Sequence, residues 1–188
     1  METLTARAST VQPIVERAMA ANRPIFLWGA PGIGKSELVE GIVEAHPGNN
    51  LMIDMRLALM EPTDLRGYPF RNPATNQMEW APAADLPTME QAELYDLIVL
   101  FLDELNSAPP SVQAAAYQLI LNGKIGQYEL PKNVRIVAAG NRETDRGVTY
   151  RMPAPLANRF RHINMEVNFE DWSVWATSNK VHPDVIGY

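Results

Sequence analysis

"FLWGAPGIGKSELVE", residues Phe26 to Glu40, decides the fold. An apolar run passes into three glycines and a proline, then a lysine, a serine and a helix-like stretch. Gly29-Ala30-Pro31-Gly32-Ile33-Gly34-Lys35-Ser36 fits G-x-x-x-x-G-K-[ST]. Glycines let such a backbone curl so that successive N–H groups point inward. They form an anion nest at a helix amino terminus, where the dipole also favours negative charge. Lys35 can reach β- and γ-phosphates, and the Ser36 hydroxyl can ligate Mg²⁺. A glycine-rich turn can match this pattern by accident. The flanking apolar run and helical stretch supply the strand and helix that a phosphate cradle requires.

A loop of this kind needs a carboxylate on a second strand, and "LIVLFLDELNSA" supplies one. Leu97 to Leu102 is continuously apolar, the mark of a central parallel strand buried on both faces. Asp103 falls at its carboxyl end, where ligands of open α/β sheets bind. It can hold magnesium through water, and Glu104 beside it can act as general base on the attacking water. The pair could equally cap a turn. "VRIVAAGNR" ends a third buried run in Asn141, placed either to orient the lytic water or simply to make a turn. "PLANRF" offers Arg159, with Arg161 close behind. Arginine suits charge on a transferring phosphoryl group, although a lone arginine is ordinarily a solvated surface residue.

Working outward, 188 residues suit one domain, or one domain and part of another. Hydrophobic residues make up 46% and charged residues 20%, a globular balance. With no cysteine, disulfides, thiolate zinc sites and cysteine nucleophiles are excluded. His46, His162 and His182 lack metal-ligand spacing and read as surface or packing residues. A net charge of −6 advertises no nucleic-acid-steering surface. "METLTARAST" has no apolar h-region, and no apolar run approaches the ~20 residues of a membrane span. These features read as a cytoplasmic protein.

Strands are expected at Pro24–Trp28, Leu51–Met55, Leu97–Leu102, Val134–Ala139 and Arg161–Met165. Helices are expected at Thr10–Ala20 (with Thr10 as cap), Glu37–Ala45, Met89–Tyr95 and Ser111–Leu121. Two hairpins are expected, one turning at "NPATN" and one in "NGKIGQYELPKN". Alternating strands and helices imply an αβα sandwich about a parallel sheet. "NFEDWSVWA" starts a helix capped by Asn168, and "HPDVIGY" starts another. The expected division is 1–167 as an α/β nucleotide-binding core and 168–188 as the beginning of a helical unit that the sequence leaves incomplete.

Taken in order, "GAPGIGKS", "FLDELNSA", "AAGNR" and "PLANRF" resemble Walker A, Walker B, sensor 1 and arginine finger of AAA+ ATPases. "EPTDLRGYP" resembles a segment of the MoxR and dynein-related branch. The resemblance covers roughly Val11 to Met165. It implies a P-loop NTPase fold with a five-stranded parallel sheet ordered 5-1-4-3-2, and a ring, usually a hexamer, with ATP between subunits. It implies ATP and Mg²⁺ as cofactors. The nucleotide-contacting run would be Gly29, Ala30, Pro31, Gly32, Ile33, Gly34, Lys35, Ser36 and Glu37. Ser36 and Asp103 would hold the metal. Glu104, Asn141 and Arg159 would carry the chemistry, Arg159 on behalf of the neighbouring subunit. The two hairpins would match the helix-2 insert and the pre-sensor hairpin, which usually face the ring pore. The family's helical lid and sensor 2 arginine would lie beyond Tyr188.

Three functions compete on this reading. One is an ATP-driven motor that remodels protein clients, as in MoxR-like members with a von Willebrand A-domain partner. The second is a nucleic-acid motor or helicase loader, against which the acidic balance argues. The third is a non-catalytic ATP-gated switch, against which the intact Asp103–Glu104 pair argues.

Overall fold

The computed structural model describes residues 4–145 and 149–187. In chain order the elements are β1 (Leu4–Arg7), α1 (Ala8–Ala20), β2 (Ile25–Trp28), α2 (Lys35–Ala45), β3 (Asn50–Arg56), α3 (Pro62–Arg66), β4 (Tyr68–Arg71) and β5 (Met78–Ala81). They continue with α4 (Met89–Leu94), β6 (Leu97–Asp103), α5 (Pro110–Asn122), β7 (Lys124–Ile125), β8 (Tyr128–Glu129), β9 (Val134–Gly140), α6 (Ala154–Ala157), β10 (Arg161–Glu166), α7 (Phe169–Ser178) and α8 (Pro183–Ile186).

The main sheet runs β1-β10-β2-β9-β6-β3, and every pairing in it is parallel. The five expected strands stand in the expected 5-1-4-3-2 order, as β10-β2-β9-β6-β3. A sixth strand, β1, corrects the expected count by extending the edge beyond β10, with Leu4 opposite Ile163 and Arg7 opposite Glu166. Only Ala6 of its four residues is buried, so "LTAR" carries no apolar pattern that would announce a strand.

Side chains alternate across a strand, and β6 shows the consequence. Ile98, Leu100 and Leu102 enter a core layer with Val112, Ala116 and Leu119 of α5. Leu97, Val99 and Phe101 enter a second layer with Val11 and Val15 of α1 and Val39 and Ile42 of α2. A strand packed on both faces must be apolar throughout, which is why "LIVLFL" is unbroken.

Helix ends are set by local chemistry. The first helix begins at Ala8 rather than Thr10, after Arg7, which caps with no side-chain bond. Instead the Ser9 amide donates to Asp171 Oδ2 of α7 at 2.8 Å. The second helix begins at Lys35, two residues earlier than expected, because Gly34 turns the chain at φ +88°. Asn168 caps α7 as expected, its side chain accepting from the Asp171 amide at 2.9 Å.

Both expected hairpins form, β4–β5 and β7–β8, each antiparallel. The first turns through Asn72, whose side chain accepts from the Ala74 amide and donates to Glu79. Its root is closed by Gly67, at φ +83°, where any Cβ would overlap Ala81 O. The strands expose Tyr68 and Phe70 on one side and Met78 and Trp80 on the other. In the second hairpin the Tyr128 hydroxyl donates to Pro87 O at 2.7 Å, and burial raises its pKa above the ordinary tyrosine range. No helix among the described residues is long and apolar enough to cross a membrane.

Candidate nucleotide site

Three strand ends build the site. The loop Gly29–Gly34 leaves the carboxyl end of β2, and its root is fastened to the next strand by Gly29 N–H donating to Gly140 O at 3.2 Å. Gly32 and Gly34 take φ +75° and +88°, a region that glycine enters without the Cβ penalty. Lys35 then turns back into the loop at the start of α2. Its Nζ donates to Gly29 O at 2.9 Å, Ala30 O at 3.0 Å and Asn141 Oδ1 at 3.4 Å. Only 8% of Lys35 is exposed. Burial pulls its ammonium below the ordinary lysine range, while Asp103, Asp145 and Glu104 oppose that pull and Arg142 adds to it. Phosphate would supply the negative charge that this desolvated ammonium lacks. Ser36 is half-buried one residue on, and Glu37 is exposed in the first turn of α2.

Asp103 ends β6, and its Oδ1 accepts from the Glu104 amide at 2.8 Å. Glu104 sits at φ +54°, left-handed backbone that is uncommon for a side chain of this kind. Its carbonyl accepts from Ser107 and Ala108 N–H at 2.9 and 3.1 Å, so the turn that aims it is bonded on its far side. Asn141 follows β9 directly. The structure therefore brings Lys35, Asp103, Glu104 and Asn141 to one place.

Arg159 is not there. The N–H of Arg161 donates to Pro24 O at 3.0 Å, and Arg161 stands opposite Ile25 at the amino-terminal end of β2. Arg159 lies two residues before that, exposed, with Nη2 donating to Leu121 O at 3.2 Å near the end of α5. Arg161 is exposed as well.

Three residues of this region escaped sequence reasoning. Asn106 grips the backbone of Asn141 (Nδ2 to Asn141 O at 2.7 Å, Oδ1 from Asn141 N at 3.1 Å). Arg142 spans from the end of β9 to the end of β10, donating from Nη2 to Met165 O at 2.6 Å, with its buried Nε unpartnered. His162 joins Trp28, the residue before the loop, to the segment before Arg159. The Trp28 indole N–H donates to His162 Nδ1 at 2.8 Å. An indole only donates, so Nδ1 accepts and Nε2 carries the proton given to Ala157 O, 2.7 Å away. The signal for Asn106 was its place, two residues after Glu104. The other two carried none.

Among the described residues, no group of three or more His, Cys, Asp or Glu gathers as a metal cage. One hydroxyl and one carboxylate, Ser36 and Asp103, make a donor set that fits magnesium, which keeps several waters and shares substrate phosphates. A separate cavity of about 450 Å³ opens beside the edge strand β3, lined by Asp54, Arg56, Asp85 and Gln91 among apolar neighbours. Burial and the nearby Asp103 and Glu40 raise the Asp54 pKa, with Arg56 opposing them.

A parallel sheet ordered in this way, with a lysine-bearing loop on one strand and an acid pair two strands away, defines a P-loop nucleotide-binding class. The chain belongs to the AAA domain (dynein-related subfamily) family, whose profile matches residues 24–160. It is 28% identical over 173 residues to Midasin of Giardia intestinalis, a match covering 88% of this chain and 3% of that protein. Its fold is similar to that of a Cytophaga hutchinsonii protein provisionally described as an ATPase. The TM-score is 0.63 and the identity 17%, covering 96% of this chain and 53% of that one. The chain thus spans a small part of its curated relative and about half of its structural one.

Proposed function

We propose that this chain is the Mg²⁺-dependent, ATP-hydrolysing core of an oligomeric AAA+ ring that remodels or assembles protein clients. The observation that carries the reading is the convergence of Lys35, Asp103, Glu104 and Asn141 at the carboxyl ends of β2, β6 and β9. Backbone N–H groups of Gly32, Gly34, Lys35 and Ser36 would cradle the phosphates, and Lys35 would neutralise the β- and γ-oxygens. Ser36 and Asp103 would hold the magnesium, whose charge would offset that of the transferring phosphoryl group. Glu104 takes the proton of the attacking water as general base, and the Asn141 amide orients that water. Arg159 serves the neighbouring subunit's nucleotide.

Residues 168–188 are proposed to begin the helical lid, with 1–167 as the core. The MoxR resemblance makes a hexamer the expected ring and a von Willebrand A-domain protein a candidate partner. The net charge of −6 speaks against a nucleic-acid motor.

The experiment is phosphate release with and without Mg²⁺, paired with sedimentation in ATP. The parent should turn over only with Mg²⁺ and should form higher oligomers. A Glu104→Gln form should bind ATP without turnover. A parent that binds nucleotide and releases no phosphate under assembling conditions would overturn the hydrolytic reading.

A further inference from the structure

Asn106 is 2% exposed and lies in the turn that follows Asp103 and Glu104. Among the described residues its side chain makes two hydrogen bonds, and both go to the backbone of a single residue. Nδ2 donates to Asn141 O at 2.7 Å and Oδ1 accepts from Asn141 N at 3.1 Å. Two residues exchanging N–H and C=O in this way is the pairing of an antiparallel ladder. Here a side-chain amide takes the place of the partner strand and adds one rung beyond the end of β9.

Only asparagine fits this place. Aspartate has the acceptor but no donor. Glutamine carries its amide one methylene too far. The clasp also explains the residue before Asn141. A Cβ on Gly140 would overlap Asn106 Oδ1 and lie 2.7 Å from Phe26 Cζ. The main chain of Asn106 is used too, its carbonyl accepting from the Tyr150 amide at 2.7 Å. The same turn is anchored by Leu105 N–H donating to Ala139 O at 3.0 Å. The acid-bearing turn and the end of β9 are therefore locked in register, and Asn141 Oδ1 is held 3.4 Å from Lys35 Nζ.

We infer that Asn106 is the positioning residue for Asn141, fixing its backbone so that its amide faces the γ-phosphate position beside Glu104. The inference rests on the proposed hydrolytic role of the site and deepens it. Asn106 itself touches no phosphate. Loss of the clasp should therefore act on the chemical step and leave nucleotide binding alone. A misplacement of about 1 Å at a reacting centre lowers rates roughly 10²-fold.

The test uses the full chain with two substitutions. Asn106→Leu keeps the volume and branching and removes both bonds. Asn106→Asp keeps the acceptor for the Asn141 amide and removes the donor. The readouts are steady-state ATP turnover and the hydrogen exchange rate of the Asn141 amide. Asn106→Leu should lower kcat by about 10- to 100-fold, hold KM for ATP within about twofold, and speed exchange at Asn141. Asn106→Asp should keep exchange slow and fall between parent and Leu in kcat, which decides the matter should the Leu form fail to fold. Parental kcat in the Asp form, or KM rising in step with a falling kcat, overturns the inference. So does slow exchange in a folded Leu form. If the parent binds ATP but releases no phosphate, the hydrolytic reading has failed on its own, and the exchange rates of the two variants alone accept or reject the clasp.

Discussion

Arg159 and Lys35 stand at opposite ends of one sheet. Lys35 begins the helix that follows the carboxyl end of β2, whereas Arg159 precedes the amino-terminal end of β10, whose Arg161 pairs with Ile25. Three register steps separate that pair from Asn164 and Trp28 at the loop, about 10 Å of strand. Arg159 lies beyond the amino-terminal end of that span, with Nη2 on Leu121 O, so under the proposed ring reading it would serve the nucleotide of another copy rather than its own.

Two inactive forms should therefore rescue each other. Arg159→Ala should bind nucleotide as the parent does and lose turnover in assembled rings, where a finger is worth roughly 10³–10⁵ in rate. Mixed with Glu104→Gln, it should regain activity at interfaces where the Arg159→Ala subunit supplies Glu104 and its neighbour supplies Arg159. A mixing titration of phosphate release reads this directly. Mixed rings no faster than either component would remove Arg159 from the role, and rescue by Arg161→Ala in its stead would move the role by two positions.

Lys35→Ala should weaken ATP binding about 10- to 100-fold, the worth of a hydrogen bond to a charged group. The variant also leaves Gly29 O and Ala30 O without their partner. Isothermal titration of both forms measures the loss, and equal affinities would reject the site.

The Glu104 position separates strain from chemistry. At φ +54° a side chain costs about 1–2 kcal/mol that glycine does not. Glu104→Gly and Glu104→Ala should be equally inactive, yet the glycine form should be the more stable by about 1 kcal/mol in urea unfolding. The opposite order would mean that the turn is relaxed.

Gly140→Ala should be among the most damaging single-methyl additions in the chain. The new Cβ meets Asn106 and Phe26, and overpacking of this kind typically costs about 1–3 kcal/mol. Thermal melting would show it, with Gly41→Ala as the control: a Cβ there has open space in mid-helix, where alanine is the better helix former, so that variant should melt no lower than the parent.

Asp54 gives a pH-dependent case. Its pKa is raised in the folded state, first by burial, so the folded chain binds its proton more readily than the unfolded chain does. The charged carboxylate therefore opposes folding at neutral pH, and this opposition is relieved as pH falls through the raised pKa. Asp54→Asn should melt higher than the parent at pH 7, and the gap should close in acid below the ordinary aspartate range. A gap that is constant with pH would assign the effect to something other than charge.

What could be read beforehand follows the range of the forces involved. Buried strands advertise themselves through unbroken apolar runs such as Leu97–Leu102, and the loop at Gly29–Ser36 through its glycines. Their order across the sheet came from the family resemblance. β1 was illegible because a four-residue edge strand with one buried side chain has no periodicity. The start of α1 was misplaced because its first turn is capped by Asp171, 162 residues away. α3 is five residues inside a proline-rich stretch, held by a reciprocal Glu61–Asp64 cap. Within the site, residue types that touch phosphate announce themselves by chemistry. Asn106, Arg142 and His162 act on other protein groups, and only packing reveals which ones.

The hydrogen bond from Trp28 to His162 places a natural fluorophore between the two ends of the molecule. Its indole precedes Gly29 by one residue, and its histidine partner holds the carbonyl of Ala157, two residues before Arg159. The two rings stack at 5.8 Å. Trp80, Trp172 and Trp175 are exposed and Trp28 only partly so, and iodide should therefore quench those three more than Trp28. The light that remains should come mainly from an indole set between the Gly29–Gly34 loop and the segment that leads to Arg159. The chain carries its own unlabelled optical gauge of whether those two ends move together.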